Sequence, residues 1–317
     1  MDRTHPVTYS LIICTYNQCA SLRRVLDYLS RQKVAEPGSI EAIVVDNNSS
    51  DATRAVCEEA AGAMPFEFRY VFEGRQGLSA ARNRGAREAR GEILIFTDDD
   101  ARLPENWLQS MIDSYAELGA DCIFGKIIID WEKGKPDWYS ETYKYMFSAL
   151  DYGNEVIQVK DPYHDFYGKN FSLRKQALLD VGGFDENLGR KGDRLFVGEE
   201  RKIYIKLLAR DQKVMYNPRV QVFHMLKDYE YSEEHFLRHY HDRTISEYLM
   251  MLEASGKRIF GRPAFPLRKV VTYWAGLPLK LLRRAGGLTR QELFHQRLER
   301  RKHWQIFSLW LKNISQG

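Results

Sequence analysis

Hydrophobic positions in the first hundred residues fall into short unbroken runs, and between them apolar residues recur every three or four positions. The runs lie within Tyr9–Cys14, Ile40–Val45, Phe68–Phe72 and Ile93–Phe96. Apolar runs of this length predict strands buried on both faces, as in a parallel sheet. Leu22, Val25, Leu26 and Leu29 are spaced for one face of a helix over 21–31, which Pro37-Gly38 closes off. The polar cluster from Asp46 to Asp51 predicts a turn and an N-cap for a helix over 52–61. Gly77-Leu78-Ser79 opens another over 80–90. Strands that alternate with helices across short loops predict an α/β fold with right-handed crossovers.

In such sheets ligands gather beyond the carboxyl ends of the strands. The segments expected there are Thr15–Asn17, Asp46–Asp51, Gly74–Gly77 and Asp98–Asp100, and all four are polar. In the last, a buried strand runs straight into three carboxylates. Strand alternation puts Asp98 and Asp100 on one face and turns Asp99 elsewhere. Two acids on one face suit a hard divalent cation that also holds phosphate oxygens. The plainer alternative is a solvated acidic turn capping the helix near Trp107. No glycine-rich dinucleotide turn follows the first strand, where Cys14-Thr15-Tyr16-Asn17 stands, and no P-loop occurs. Nicotinamide-dependent and ATP-hydrolysing chemistries recede accordingly.

Composition narrows the class further. With 317 residues, 44% hydrophobic and 28% charged, the chain can build one large core or two domains. Cys14, Cys19, Cys57 and Cys122 match neither a zinc nor a disulfide pattern and read as buried free thiols of a reducing, cytoplasmic compartment. No signal sequence and no membrane-spanning apolar stretch are expected. From Lys257 onward, 14 Lys and Arg face only Glu292 and Glu299, a balance of +12, so the first 256 residues carry −8 of the total +4. An acidic body with a basic tail is not a uniformly basic nucleic-acid binder. It reads as a catalytic body with an attachment region.

Four segments, in order, carry a resemblance: Ser10–Asn17, Val44-Val45-Asp46 through Asp51, Gly77-Leu-Ser-Ala-Ala-Arg-Asn-Arg-Gly85, and Asp98-Asp99-Asp100. Together they resemble the family-two inverting glycosyltransferases. The likeness extends over about residues 8–225. It implies a GT-A fold, Rossmann-like, with a mixed, mainly parallel sheet flanked by helices, here followed by a C-terminal helical extension. The domain expectation is a catalytic domain over 1–226, with a nucleotide-sugar half at 8–107 and an acceptor-side half at 108–226. A basic helical region follows over 227–317.

The resemblance also implies roles. Thr15, Tyr16 and Asn17 would help hold the nucleotide, and Asp46, with Asn48 beside it, would accept from the base edge, typically uracil, as a carboxylate facing an imide N–H can. Arg75, Ser79 and Arg82 are candidates on the base or diphosphate side, with helix-surface roles as the alternative for the arginines. Asp98 and Asp99 would serve the ribose or the metal shell. Asp100 would bind Mn²⁺ or Mg²⁺ bridging the diphosphate, and His224 is a second metal candidate, against a structural histidine at a strand end. The family's base lies in a Gly-Glu-Asp motif opening a helix. Gly198-Glu199-Glu200 matches it, placing Glu200 as base, with Glu199 as the other candidate and ordinary helix N-terminal charges as the alternative. Lys202 stands where the family often has another acid. The partners implied are a nucleotide sugar and a glycan or lipid-linked acceptor.

The rest of the chain is less specific. The aromatic stretch from Asp130 to Tyr167 reads as a sugar platform or a satellite core. Val214–His224 reads as a strand, a turn at Asn217-Pro218, and a second strand. Tyr229–Leu252 is helical. Phe260–Leu282, with basic flanks to Arg284, and the group Trp304, Phe307, Trp310 and Leu311 fit either an interfacial element on the inner membrane face or a helical subdomain. Two other functional classes stay open, a metal-dependent nucleotidyltransferase and a catalytically silent nucleotide-binding module. The sequence leaves the oligomeric state open.

Overall fold

The structure, a computed structural model, describes residues 7–192, 197–254, 258–259, 262–282 and 289–312. These form two compact units. The first comprises 7–132, 147–192 and 198–227, and the second 133–146, 197 and the described residues from 228 on. Phe260, Gly261, Arg283 and Arg284 of the expected interfacial segment lie outside the described residues.

In the first unit, β1 (Tyr9–Thr15), β2 (Ile40–Asp46), β3 (Glu67–Phe72) and β4 (Ile93–Asp98) alternate with α1 (Cys19–Ser30), α2 (Thr53–Ala60) and α3 (Leu78–Glu88). β1, β2 and β4 are buried nearly throughout, which is why their sequences are continuous rather than alternating. α1 turns Leu22, Val25, Leu26 and Leu29 inward, each burial contributing about 1.5–3 kcal/mol. α3 begins two residues earlier than its sequence suggests, because Gly77 precedes it directly and Ala81 N–H already bonds the Gly77 carbonyl.

The spatial order β3-β2-β1-β4 is parallel, and its registers pair Thr15 with Asp46, Asp46 with Phe72, and Cys14 with Asp98. The carboxyl ends of these strands therefore lie side by side. The chain runs from β1 out to β3, then returns to β4 on β1's other flank, so a topological switch lies between β1 and β4.

Beyond β4 the sheet becomes mixed. It continues through β5 (Ala101–Arg102), α4 (Trp107–Leu118), β6 (Cys122–Asp130), β7 (Ile157–Val159), β8 (Phe171–Arg174), α5 (Lys175–Asp180), α6 (Glu199–Leu208) and β9 (Val214–Met225). β8 pairs antiparallel with both β4 and β6, setting Phe171 opposite Phe96. β9 is one strand where the sequence suggests two. Its register against β6 jumps between Phe124 and Lys126, so the Asn217-Pro218 irregularity is absorbed without a turn. The result is the GT-A-type mixed sheet expected. Cys57 and Cys122 are buried, whereas Cys14 and Cys19 keep partial exposure, and all four are free thiols.

The second unit contains α7 (Glu233–Ala254), the short pair β10 (Arg258–Ile259) and β11 (Arg262–Pro263), α8 (Ala264–Leu282) and α9 (Arg290–Lys312). Tyr248, Val270, Ile306 and Trp310 form one core. Trp138 and Tyr143 pack with Phe236 and Phe294 in a second cluster, with ring centroids 5.0–6.1 Å apart. These two aromatics of the Asp130–Tyr167 stretch thus build core.

Candidate active site

At the carboxyl ends of the parallel strands, the three acids of Asp98-Asp99-Asp100 all find cationic or hydroxyl partners, some of them shared. Asp98 ends β4, and its Oδ1 lies 3.6 Å from Arg82 Nη2. Lys169 Nζ lies 3.3 Å from Asp98 Oδ2 and also pairs with Asp100 Oδ1. Thr15 Oγ1 donates to Asp99 Oδ2 at 2.7 Å, and Lys227 Nζ bridges Asp99 and Asp100 at 3.4 and 3.2 Å. Asp98 and Asp100 thus share one lysine, while Asp99 engages β1. None of the three caps α4, which starts at Trp107 after Asn106.

These contacts set the acids' ionisation. Burial opposes a charge on Asp100, but Lys169, Lys227 and His224 outweigh it and hold the carboxyl well below the usual range. Burial likewise opposes Asp98, and Lys169 is the chief group that carries it downward. At Asp99 burial prevails over Lys227 and the carboxyl moves up. Lys169 itself is buried, yet Asp100 and Asp98 raise its affinity for the proton against that burial.

His224, near the end of β9, is buried. Its Nδ1 lies 2.8 Å from the Phe147 carbonyl, so Nδ1 carries the proton and donates. Its Nε2 lies 3.6 Å from Asp100 Oδ2. Carboxylate oxygens beside an imidazole whose other nitrogen is committed to a carbonyl are a fitting donor set for Mn²⁺ or Mg²⁺.

Arg82, projecting from α3, is the hub. Its Nη1 donates to Glu199 Oε1 and to Glu200 Oε1, both at 3.0 Å, and its guanidinium lies over the Phe184 ring at 5.5 Å. One buried guanidinium therefore joins Asp98 to both acids at the start of α6. Glu200 Oε1 accepts a second bond from the Gly168 N–H at 3.0 Å. A Cβ on residue 168 would overlap the Arg82 guanidinium and Glu200 Oε1, so only glycine permits this approach. The Glu200 side chain is 14% exposed and that of Glu199 4%. Burial and the neighbouring Glu200 push the Glu199 carboxyl up to about 8 in spite of Arg82. Glu199 Oε2 is buried without a hydrogen-bond partner among the described residues. Lys202 Nζ pairs with Asp185 Oδ2 at 2.7 Å.

The other sequence candidates sit in the surrounding loops. Asp46 is buried, accepting from Tyr70 Oη at 2.7 Å and from the Ser49 N–H at 2.9 Å. Asn17 has a left-handed φ of 51° and accepts from the Ser50 N–H, while Tyr16 is exposed. Asn48 also takes a left-handed φ, 67°. Arg75 pairs with Glu73 and, at 2.9 Å, with Glu186. Ser79 donates to the Leu188 carbonyl at 2.9 Å. Thr15, Arg82, Asp98–Asp100, His224, Glu199 and Glu200 thus form or adjoin one polar network, whereas Arg75 and Ser79 brace loops.

Sequence reasoning missed three residues. Lys169 and Lys227 are the cations of the acidic cluster. The available signal was a lysine between Gly168 and Asn170 at the mouth of an apolar strand, and another just past His224. The third is Asn47, neighbour of the two candidates Asp46 and Asn48. Its Nδ2 donates to the Glu73 and Arg75 carbonyls, and its Oδ1 accepts from the Gly77 N–H at 2.7 Å, tying the loop after β2 to the start of α3.

Comparison with known proteins bears on the family and the fold. The family model described as glycosyl transferase family 2 matches residues 10–182. The chain is 27% identical over 226 residues to a glucosyl-dolichyl phosphate glucuronosyltransferase of Haloferax volcanii, covering 69% of this chain and 70% of that protein. It spans 48–64% of the next four curated relatives. Among solved structures, a mannosyltransferase of Pyrobaculum calidifontis in complex with GDP-Man and Mn²⁺ has a TM-score of 0.62 at 18% identity, covering 98% of this chain and 89% of that one. S. aureus TarS 1-349 in complex with UDP has a TM-score of 0.53, also at 18% identity, over 76% and 65%.

Proposed function

The chain belongs to glycosyl transferase family 2, and from that premise we propose that it transfers a sugar from a nucleoside-diphosphate sugar, UDP-linked, to an acceptor hydroxyl with inversion. The observation that carries this reading is the Arg82 hub, which links Asp98 on the donor side to Glu199 and Glu200. The uracil assignment rests on Asp46, an acceptor-only group when ionised. UDP is also the nucleotide named for the TarS complex, while GDP-Man is named for the mannosyltransferase.

Glu200 is the base in this scheme. It has the greater solvent access of the two acids, whereas Glu199, raised to about 8, keeps its proton at neutral pH. The acceptor oxygen forms the new bond to the anomeric carbon as its proton passes to Glu200. The bond from that carbon to the diphosphate breaks, and its electron pair leaves with the diphosphate. Attack from the face opposite the leaving group inverts the centre. Asp98, Asp100 and His224 would hold Mn²⁺ or Mg²⁺, which when bound supplies positive charge to the departing diphosphate. Arg82 orients Glu200 and, through Gly168 N–H, Glu200 is held from a second side.

The acceptor we propose is a glycan or lipid-linked saccharide, met at the cytoplasmic face of a membrane. Support comes from the basic C-terminal region and from the relative named for glucosyl-dolichyl phosphate. No described helix is long and apolar enough to cross a membrane.

A thermal-shift panel of nucleoside diphosphates and nucleotide sugars, with and without Mn²⁺, tests the donor half, since ligands that bind the native state raise its melting temperature. UDP compounds should shift it in the presence of Mn²⁺, and Asp100→Ala should abolish the shift. Glu200→Gln should keep the nucleotide shift while losing roughly 10²–10⁴-fold in transfer. A folded protein that responds to no nucleotide would refute the reading.

A further inference from the structure

Lys169 occupies an unusual place. Its ammonium is buried between Asp98 and Asp100, the two acids assigned above to the metal, and it contacts both. Its backbone is fixed as well, because Thr97 Oγ1 donates to the Lys169 carbonyl at 2.9 Å and β8, starting at Phe171, is laced to β4. Gly168 and Asn170 on either side are pinned by Glu200 and by Trp107, whose Nε1 donates to Asn170 Oδ1 at 2.9 Å. Only the aliphatic stem and ammonium of Lys169 are left to move.

An ammonium and a divalent cation drawn to the same two carboxylates repel each other at such short range, and Lys227 Nζ already lies 3.2 Å from Asp100 Oδ2, the oxygen 3.6 Å from His224 Nε2. We infer that Lys169 is an exchangeable counter-ion built into this chain. It neutralises Asp98 and Asp100 while the metal is away, and it must withdraw when a divalent cation binds. Lys227, which reaches Asp100 at 3.2 Å, contributes in the same direction from β9's side. Two consequences follow. The acid cluster is stable without metal, because Lys169, Lys227 and Arg82 already stand against Asp98, Asp99 and Asp100. Metal affinity is held down by the work of breaking the lysine pairs, so binding is favoured when a diphosphate arrives to accept the displaced ammonium. That last step rests on the nucleotide-sugar reading, whereas the competition itself does not.

The test uses the full chain, first without nucleotide and then with UDP added. Free Mn²⁺ is titrated by electron paramagnetic resonance against the wild type, Lys169→Met and Lys169→Arg, and melting temperatures are recorded in EDTA and in Mn²⁺. Wild type should bind Mn²⁺ weakly, with a melting temperature indifferent to EDTA. Lys169→Met should bind roughly tenfold or more tightly, as expected when a buried ion pair no longer has to be broken, and its stability should become metal-dependent. Lys169→Arg, which keeps the charge, should stay near wild type. If Lys169→Met fails to fold, Lys227→Met replaces it and should show a smaller gain in the same direction. Equal or weaker Mn²⁺ binding in the folded methionine variant overturns the inference while leaving the transferase reading intact. No Mn²⁺ binding by any variant, even with UDP present, overturns both the inference and the metal assignment.

Discussion

Glu199 and Glu200 carry the same carboxyl group one peptide apart, at the start of the same helix, and Glu199 is pushed up to about 8, so that it keeps its proton at neutral pH. Burial is the chief cause, and it prevails although Arg82 Nη1 donates to this carboxyl. A native carboxyl raised from 4.5 to about 8 binds a proton at pH values where the unfolded chain has already released it. Stability from that proton is full below the unfolded value and is lost as pH rises through about 8. Between about pH 5 and pH 9 the wild-type melting temperature should therefore fall relative to Glu199→Gln, which is neutral throughout. Parallel melting curves for the two proteins would show that Glu199 is ionised in the native state.

The residues of the site that were legible in the sequence are those held by local pattern. Asp98–Asp100 follow an apolar strand, Arg82 sits in a helix opened by glycine, and Glu200 lies in the first turn of another helix. Lys169 was not legible, since its meeting with Asp98 depends on β8 running antiparallel to β4 across 75 positions, from Phe96 to Phe171. Asn47 escaped for a different reason. In a turn rich in Asp, Asn and Ser, any one side chain can be the brace, and only the fold selects it.

At the scale of elements, the parallel half was legible because β1, β2 and β4 are buried on both faces and β3 keeps a strand-like run at the sheet edge, whereas the later strands needed long-range pairing to be placed. The junction of β6 and β9 shows why. Gly125 lies where the register jumps, and a Cβ there would overlap the Val220 carbonyl, so the two backbones approach more closely than any side chain allows. Asn170 Nδ2 donates to that same Val220 carbonyl and to Lys126, each at 2.9 Å, filling the irregularity with hydrogen bonds. Gly125→Ala should cost about 1–3 kcal/mol, the range for forcing extra volume into a packed site, measured as a lowered urea midpoint with unchanged slope. A midpoint equal to that of wild type would mean that the strands separate there without penalty.

For the molecule as a whole, charge is divided along the chain, −8 before Lys257 and +12 after. In the second unit α8 exposes Phe265, Val271 and Trp274 together with Arg268 and Lys269. Aromatic and aliphatic groups beside bases are the composition of a surface that lies on anionic headgroups, each base adding about 1 kcal/mol there. The chain should therefore co-sediment with vesicles containing phosphatidylserine more than with pure phosphatidylcholine, and salt should weaken the association. Charge reversal at Arg268 and Lys269 should reduce it several-fold. Equal partition onto both vesicle types would argue that these groups pack within the protein instead.

The short segment 133–146 belongs to the second unit although the chain passes through it long before that unit's helices. Trp138 and Tyr143 wait for Phe236 and Phe294 to complete their aromatic cluster. During synthesis at about 5–20 residues per second, Tyr143 leaves the ribosome roughly 8–30 s before Phe294. For that interval a tryptophan and a tyrosine meant for an interior wait for the Phe236 and Phe294 rings, so the nascent chain passes through a stage suited to capture by a chaperone. The same ordering means that a gene fragment ending near residue 227 would encode those two rings without the cluster that covers them.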